Sequence, residues 1–396
     1  MTELHVGRQA SRVRGSAFLP FLSLREIGTV LGTWAVWSLV VIVLSKVAAT
    51  LPLTLPQPWA PEIAQEAPPL ARWDSGWYRD IAVRGYHYDP EAPFSNTSFY
   101  PLYPLVTGFV SRLTHIPLFP TGMGISLLCL LGALLLLADL LAEEDPERVL
   151  PGIAVLLCFP TAFYFASFYS ESLFLLTTAA AFLASKRGRW ILAGIAGAAA
   201  GLTRLNGVLI ILPMAWFAWQ EMKRNGHRLK PGPLVGLAGA AAGAAAYPMF
   251  LWVRFGSPLV YFPGKNSTWE HRPKPFWEFP QLIANGLEHF GELGAGGKIN
   301  FVFQNGALVL FTILTIGLFV RRKIPGALYC TATLAVLFNS GSTDSVQRYL
   351  LALFPCFFLL SDFLRKRPVL AFAYLFGSLG LLVTLLTRFV NWIWVA

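Results

Sequence analysis

Residues 100–116 read Tyr-Pro-Leu-Tyr-Pro-Leu-Val-Thr-Gly-Phe-Val-Ser-Arg-Leu-Thr-His-Ile, and whether they cross a membrane decides the fold. If they cross, every later segment changes sides. Pro101 and Pro104 argue against a full span, because proline has no amide N–H and obstructs the preceding helical turn. On both sides of this stretch the chain is strongly apolar. It has 396 residues, 55% hydrophobic and 13% charged, where a soluble protein carries roughly 25% charge. Apolar runs suited to membrane helices recur at about 27–50, 120–142, 150–167, 171–185, 190–204, 207–220, 233–253, 301–320, 324–340, 349–364 and 368–390. The first run is too long for a signal-peptide core and lacks a small-residue cleavage site, so it reads as a permanent span.

Basic residues mark the cytoplasmic ends of spans. Eighteen of the 31 fall in six clusters: Arg8/Arg12/Arg14/Arg25, Arg148, Lys186/Arg187/Arg189, Lys223/Arg224/Arg228/Lys230, Arg321/Arg322/Lys323 and Arg365/Lys366/Arg367. Eleven crossings with the N-terminus inside put all six in the cytoplasm, provided 100–116 lies along the outer surface. The expected fold is therefore an all-α integral membrane protein, a polytopic bundle of about 11 helices forming one membrane domain over 1–396. Residues 51–118 form a first outer loop with interfacial helices, and 254–300 form a second. Several runs are short, which suggests tilt or ends at an aqueous cavity.

The net charge of +10 is mostly this topology signal; clusters at helix ends give no support for nucleic-acid binding. Cys129, Cys158, Cys330 and Cys356 lie within apolar runs without a C-x-x-C pair and read as packing residues. Gly197-x-x-x-Gly201 and Gly239-x-x-x-Gly243 permit close helix contact. Asn96-Thr97-Ser98 and Asn266-Ser267-Thr268 match the glycosylation acceptor pattern on the expected outer face. His87, His115, His271 and His289 show no ligand spacing.

Polar residues gather on that outer face. The first loop supplies Arg72, Trp73, Asp74, Trp77, Tyr78, Arg79, Asp80 and Arg84. Later outer connections supply Tyr169-Ser170-Glu171-Ser172, Thr203-Arg204-Leu205-Asn206-Gly207 and Ser342 to Tyr349, which includes Gln347 and Arg348. Each has an ordinary alternative. Arg204 and Arg348 can snorkel to headgroups, and Glu171 can serve the first turn of its helix. Asp80 and Arg84 can pair along a helix, while Trp73, Trp77 and Tyr78 can form an interfacial belt. Four connections with polar groups on one side nonetheless point to a shared cavity centred on Asp74.

One carboxylate among several arginines suits sugar transfer from an anionic lipid phosphate. The phosphate is a good leaving group, and arginines can hold it bidentately as its charge grows. The acceptor hydroxyl needs one general base, whereas a glycosidase normally uses two carboxyls. Asp74 is the expected base. Arg348, Arg204 and Arg72 are expected on the donor phosphate. Glu171, Trp73, Trp77, Tyr78, Tyr100, Asn206 and Gln347 are expected around the acceptor and sugar. With Ser75 after Asp74 there is no Asp-x-Asp, so no metal or other cofactor is expected.

The order Trp73-Asp74, Tyr78, Ile81-Ala82, Gly85-Tyr86, Phe99-Tyr100-Pro101-Leu102-Tyr103-Pro104, Phe159-Pro160-Thr161, Tyr169 to Phe174, Thr203 to Gly207 and Gln347-Arg348-Tyr349 resembles the PIG-V family over about residues 27–364. These are mannosyltransferases of the GT-C membrane fold, related to GPI mannosyltransferase 2. The resemblance implies a polyprenyl- or dolichyl-phosphate-mannose donor, inversion at the sugar carbon and a catalytic Asp in the first outer loop, which maps onto Asp74. The acceptor, a lipid or glycan hydroxyl, is left open. The expected location is a bacterial plasma membrane or an endoplasmic reticulum membrane, with the site on the outer or luminal face. The competing reading is a lipid or sugar transporter or flippase, which would want broken helices, mid-membrane charges and repeats.

Overall fold

The structure is a computed structural model that describes residues 19–51, 67–92, 95–228, 230–262 and 274–395. Among these residues all regular structure is helical. The α-helices in order are α1 Leu24–Ala49, α2 Ser75–Arg84, α3 Leu102–Thr114, α4 Leu118–Glu144, α5 Val149–Leu157, α6 Glu171–Lys186, α7 Trp190–Thr203, α8 Ile211–Arg224, α9 Pro231–Phe255, α10 Phe279–Glu288, α11 Ala295–Val320, α12 Ile324–Phe338, α13 Val346–Tyr349, α14 Phe354–Arg365 and α15 Pro368–Val390. Five of them, α1, α4, α9, α11 and α15, are each long and apolar enough to cross a membrane. The protein is an all-helical, multi-pass membrane protein.

Local chemistry sets the helix ends. At α1 the Ser23 side chain accepts from the Glu26 N–H, while the Glu26 carboxylate accepts from the Ser23 N–H, a reciprocal cap that satisfies two otherwise unpaired donors. Helices α9, α12, α14 and α15 carry proline in their first turn, where no intrahelical N–H is needed.

Basic clusters among the described residues meet at one end of the bundle; Arg8, Arg12 and Arg14 lie outside the described residues. Arg148 pairs with Glu144 and, through two bonds of 2.8 and 2.7 Å, with Asp362. Lys186 meets Glu143 at 2.9 Å, Arg187 meets the fully buried Asp139, and Lys323 meets Glu144. Arg365 reaches Asp145 at 3.0 Å. The chain entering α1 joins the same end, where the Phe21 N–H donates to Asp139 at 2.9 Å. Trp190 Nε1 donates to Glu221 at 2.7 Å, bringing the start of α7 to the end of α8. The opposite ends of α6, α7 and α15 therefore point to the other end of the bundle.

Two expected spans are not continuous helices. For 150–167, α5 stops at Leu157 and a 3-10 turn occupies Ala162–Ala166. Pro160 lacks the N–H that would continue the ladder. The stretch survives because residues 159–170 are buried against other helices, the setting in which irregular backbone is tolerated inside a membrane protein. For 349–364, the chain bends by 81° between the helical segments Val346–Ala352 and Phe354–Arg365, just before Pro355. Together this bent pair passes the length and composition test for a sixth span, and α7 and α12 are shorter apolar helices.

The segment that opened the sequence reading forms α3, 13 residues long. That is about 20 Å of helix, too short for a hydrocarbon core of about 30 Å. One face, with Tyr103, Thr107 and Gly108, is buried, while Leu105, Phe109 and Leu113 point outward. Apolar residues four apart on an outward face suit a helix lying in the membrane surface. Behind it, Asn96 is fully buried, and its amide donates to Asp80 at 2.8 Å and to the Gly85 carbonyl at 3.0 Å. The Asn96 glycosylation pattern is thus occupied by structure; Asn266-Ser267-Thr268 lies outside the described residues. Asp80 also faces Arg84 at 3.6 Å, the expected pair along one helix.

The two small-residue stripes pack on one another. A Cβ on Gly243 would fall 2.2 Å from the Ala198 Cα, and one on Gly201 would fall 2.8 Å from the Ala244 backbone. Contact this close leaves no room for a methyl group. Gly243→Ala is therefore expected to cost about 1–3 kcal/mol through overpacking. Gly306→Ala, where nothing lies within 4 Å, should leave stability unchanged or slightly raised. Thermal unfolding of the two variants in detergent checks the contrast.

Candidate active site

Asp74 occupies the N-cap position of α2, yet its side chain makes no cap bond. An Asp at that position ordinarily accepts from an N–H of the first turn, an interaction worth about 1 kcal/mol. Here Oδ2 accepts instead from Arg348 Nη1 at 2.7 Å. Arg348 Nε donates to Glu171 Oε1 at 2.9 Å, and Arg204 Nη2 donates to the same oxygen at 2.8 Å. Four residues distant in sequence thus form one chain, Asp74–Arg348–Glu171–Arg204, at the end of the bundle opposite the basic clusters.

Each member is held by its local structure. Glu171 is the first residue of α6, where the helix dipole favours a carboxylate. Arg204 follows the last residue of α7, the end that favours a cation. Arg348 lies in the short helix α13, whose entry residue Ser345 adopts a left-handed φ of 61°. Its guanidinium carbon lies 4.7 Å from the Tyr169 ring centroid and 5.0 Å from that of Tyr164, and that of Arg204 lies 5.1 Å from Tyr349. Aromatic faces attract these cations. The Tyr169 hydroxyl donates to the Arg72 carbonyl at 3.0 Å and accepts the Asp74 N–H at 3.1 Å. That pair of bonds fixes the turn at Trp73, itself left-handed with φ 55°.

Burial separates the two carboxylates. The Glu171 side chain is 1% exposed, Arg348 5%, Arg204 11% and Asp74 18%. Glu171 was expected to contact acceptor. In the structure its Oε1 is taken by two arginines, and Oε2 is buried with no hydrogen-bond partner among the described residues. Its place is that of a buried counter-ion holding both arginines. Asp74 is the reachable end of the chain.

The other expected residues divide. Tyr78 is buried beside the chain, its hydroxyl 3.0 Å from the Ser170 hydroxyl. Gln347 is fully buried; its Nε2 donates to the Val395 carbonyl at 2.8 Å, while Oε1 has no partner among the described residues. Trp77 stacks on Phe99 at 5.9 Å, and Asn206 is buried in the 3-10 turn after Arg204. Arg72 does not join the carboxylates. It donates to the carbonyls of Val390 at 3.0 Å and Ala67 at 2.6 Å and lies 5.1 Å from the Trp392 ring. Burial pushes its pKa down to about 10, so it is a cation at neutral pH. Tyr100 belongs to a separate aromatic cluster, 4.7 Å from Tyr247 and 5.5 Å from Tyr261.

The segment 391–395 also reaches the site, which sequence reasoning missed. Trp392 and Trp394 lie 5.7 and 5.1 Å from Trp73. In sequence they read as an ordinary aromatic pair after an apolar run, and nothing in their spacing links them to Trp73. Among the described residues no group of three or more His, Cys, Asp or Glu side chains could hold a metal ion.

No protein-family model matches the chain, and no curated protein matches it. Among solved structures the chain is similar to the archaeal oligosaccharyltransferase AglB from Archaeoglobus fulgidus, in complex with an inhibitory peptide and a dolichol-phosphate. The identity is 14% and the TM-score 0.40, over 90% of this chain and 55% of that one. This chain therefore spans about half the length of AglB, and a similarity of that size assigns neither a family nor an activity.

Breaking a buried ion pair strands the remaining charge, at about 3–5 kcal/mol. Glu171→Gln, which leaves two arginines facing each other, is expected to lose stability on that scale. Asp74→Asn, at the solvent-reachable end, should lose about 1 kcal/mol or less. Thermal unfolding in detergent separates them, and equal losses would contradict the division of roles.

Proposed function

We propose that the protein is a GT-C-type glycosyltransferase that moves a hexose from a polyprenyl- or dolichyl-phosphate donor to a hydroxyl acceptor. The observation that carries this reading is Arg348 shared between a buried and a reachable carboxylate. The reachable one, Asp74, takes the proton of the acceptor hydroxyl. The acceptor oxygen forms a bond to the sugar C1 as the bond from C1 to the phosphate oxygen breaks. The lipid phosphate leaves with one more negative charge. A single displacement of this kind inverts the sugar carbon. Nε and Nη1 of Arg348 are engaged by the carboxylates, and its Nη2 edge suits the departing phosphate, with Arg204 and Arg72 as neighbouring cations. The positive-inside bias assigns the basic end to the cytoplasm and this site to the outer or luminal face. The mannose identity follows from the PIG-V resemblance of the sequence motifs.

One observation favours the transporter reading. Arg348 sits in a span bent by 81°, and broken helices mark transporter binding sites. Turnover decides between them. Purified protein in detergent, given polyprenyl-phosphate-mannose and a lipid extract, should release polyprenyl phosphate and form a mannosylated product. Asp74→Asn should lower kcat by about 10²–10⁴-fold, the usual contribution of a general base, while remaining folded. Near-normal turnover by that variant would remove Asp74 from the role of base. Sugar-lipid translocation in vesicles without product would favour transport.

A further inference from the structure

The segment 391–395 is held more firmly than its position after α15 requires. Asn391 Nδ2 donates to the Ala48 carbonyl at 2.9 Å. The Trp394 carbonyl accepts from Arg388 Nη2 at 2.8 Å and Asn300 Nδ2 at 3.1 Å. The Val395 carbonyl accepts from Gln347 Nε2, the neighbour of Arg348, at 2.8 Å. Trp392 is 5% exposed and adopts a left-handed φ of 59°, a costly backbone for a bulky residue. Trp73, in contact with it, is left-handed as well. Two strained tryptophans pack together beside Asp74, and a third, Trp394, stands edge-on to Trp73 at 5.1 Å and 80°. Trp394 is 38% exposed although its backbone is clamped.

A belt of interfacial tryptophans explains an exposed ring. It does not explain a buried, left-handed Trp392, nor a segment tied by hydrogen bonds to α1, α11, α13 and α15. Strained residues that the surroundings over-determine cluster at ligand sites. A rigid indole face with few rotatable bonds is suited to the C–H face of a pyranose ring.

We propose that Trp394, set in place by Trp392 and by the bond from Gln347 to Val395, is a sugar-binding face of the site, stacking a hexopyranose next to Asp74. The inference rests on the glycosyltransferase reading for its substrate class. The sugar can come from the donor or from a glycan acceptor, and the test separates these sources.

Hydroxyl-radical footprinting of the full chain in lipid nanodiscs reads Trp394 oxidation by mass spectrometry. The probes are farnesyl-phosphate-mannose, farnesyl phosphate and methyl α-mannoside. Oxidation is expected to fall about threefold or more with a mannosyl probe and not with farnesyl phosphate. Protection by farnesyl-phosphate-mannose alone assigns the donor sugar; protection by methyl α-mannoside as well assigns an acceptor-type sugar. Unchanged oxidation with both mannosyl probes, or equal protection by farnesyl phosphate, overturns the proposal. In turnover, Trp394→Ala is expected to raise KM about tenfold with kcat within about twofold, and Trp394→Phe to recover most of the loss. An unchanged KM in folded Trp394→Ala also overturns it. Protection without any turnover by the unaltered protein would keep the sugar face and remove the transferase reading. Turnover without protection would do the reverse.

Discussion

The architecture of the site depends on one guanidinium serving two carboxylates. Arg348 lies 5% exposed between Asp74 and Glu171, in surroundings where an unpaired charge costs several kcal/mol. Asp74 comes from the first loop, Glu171 from the start of α6, Arg204 from the end of α7 and Arg348 from a broken span, so four distant stretches of chain meet around the buried charges. The opposite end of the bundle has its own clamp, in which Asp139, Glu143, Glu144 and Asp362 meet arginines and lysines from three other stretches of chain, at Arg148, Lys186–Arg187 and Lys323. The chain is apolar between two polar ends, and the ends differ in kind. One is a web of ion pairs that grades into solvent, and the other is a short chain of charges roofed by tyrosines.

The same physics assigns different work to the two acids. Glu171 sits at a helix N-terminus under two arginines and is inaccessible, so it remains a fixed negative charge. Asp74 sits at a helix N-terminus too but leaves its cap unmade and keeps 18% of its side chain exposed. An acid that has given up a local bond worth about 1 kcal/mol is held for something other than the stability of its own helix. Among the described residues, three of the six left-handed non-glycine residues, Trp73, Ser345 and Trp392, flank this chain of charges. Strain is therefore concentrated where the geometry of the site is set.

Much of this was legible in the sequence, for reasons of composition and periodicity. Long apolar runs gave the helices, and the basic clusters gave a common end. The prolines of Tyr100–Pro104 marked the stretch that forms only the short helix α3. The convergence of Asp74, Glu171, Arg204 and Arg348 followed from placing all of them at span ends on one side. Other features depended on non-local packing. Hydropathy reads 150–167 as a span because Phe163, Tyr164 and Phe165 are apolar; that they are buried around a non-helical turn depends on helices far away in sequence. The bend before Pro355 was hidden in the same way. Nor could any local pattern show that Trp392 and Trp394 return to Trp73, or that Arg72 would bind carbonyls of Ala67 and Val390 in place of a carboxylate.

The most direct measurement is a structure of the protein with a non-transferable lipid-phosphate-sugar analogue bound in nanodiscs. The account predicts the phosphate on the Nη2 edge of Arg348, the sugar carbon beside Asp74, and an Asp74 oxygen turned toward the acceptor side within about 3 Å of an acceptor hydroxyl. A phosphate bound at the basic end, among Arg148, Lys186 and Lys323, with the Asp74–Arg348 pair remote from the sugar, would contradict it.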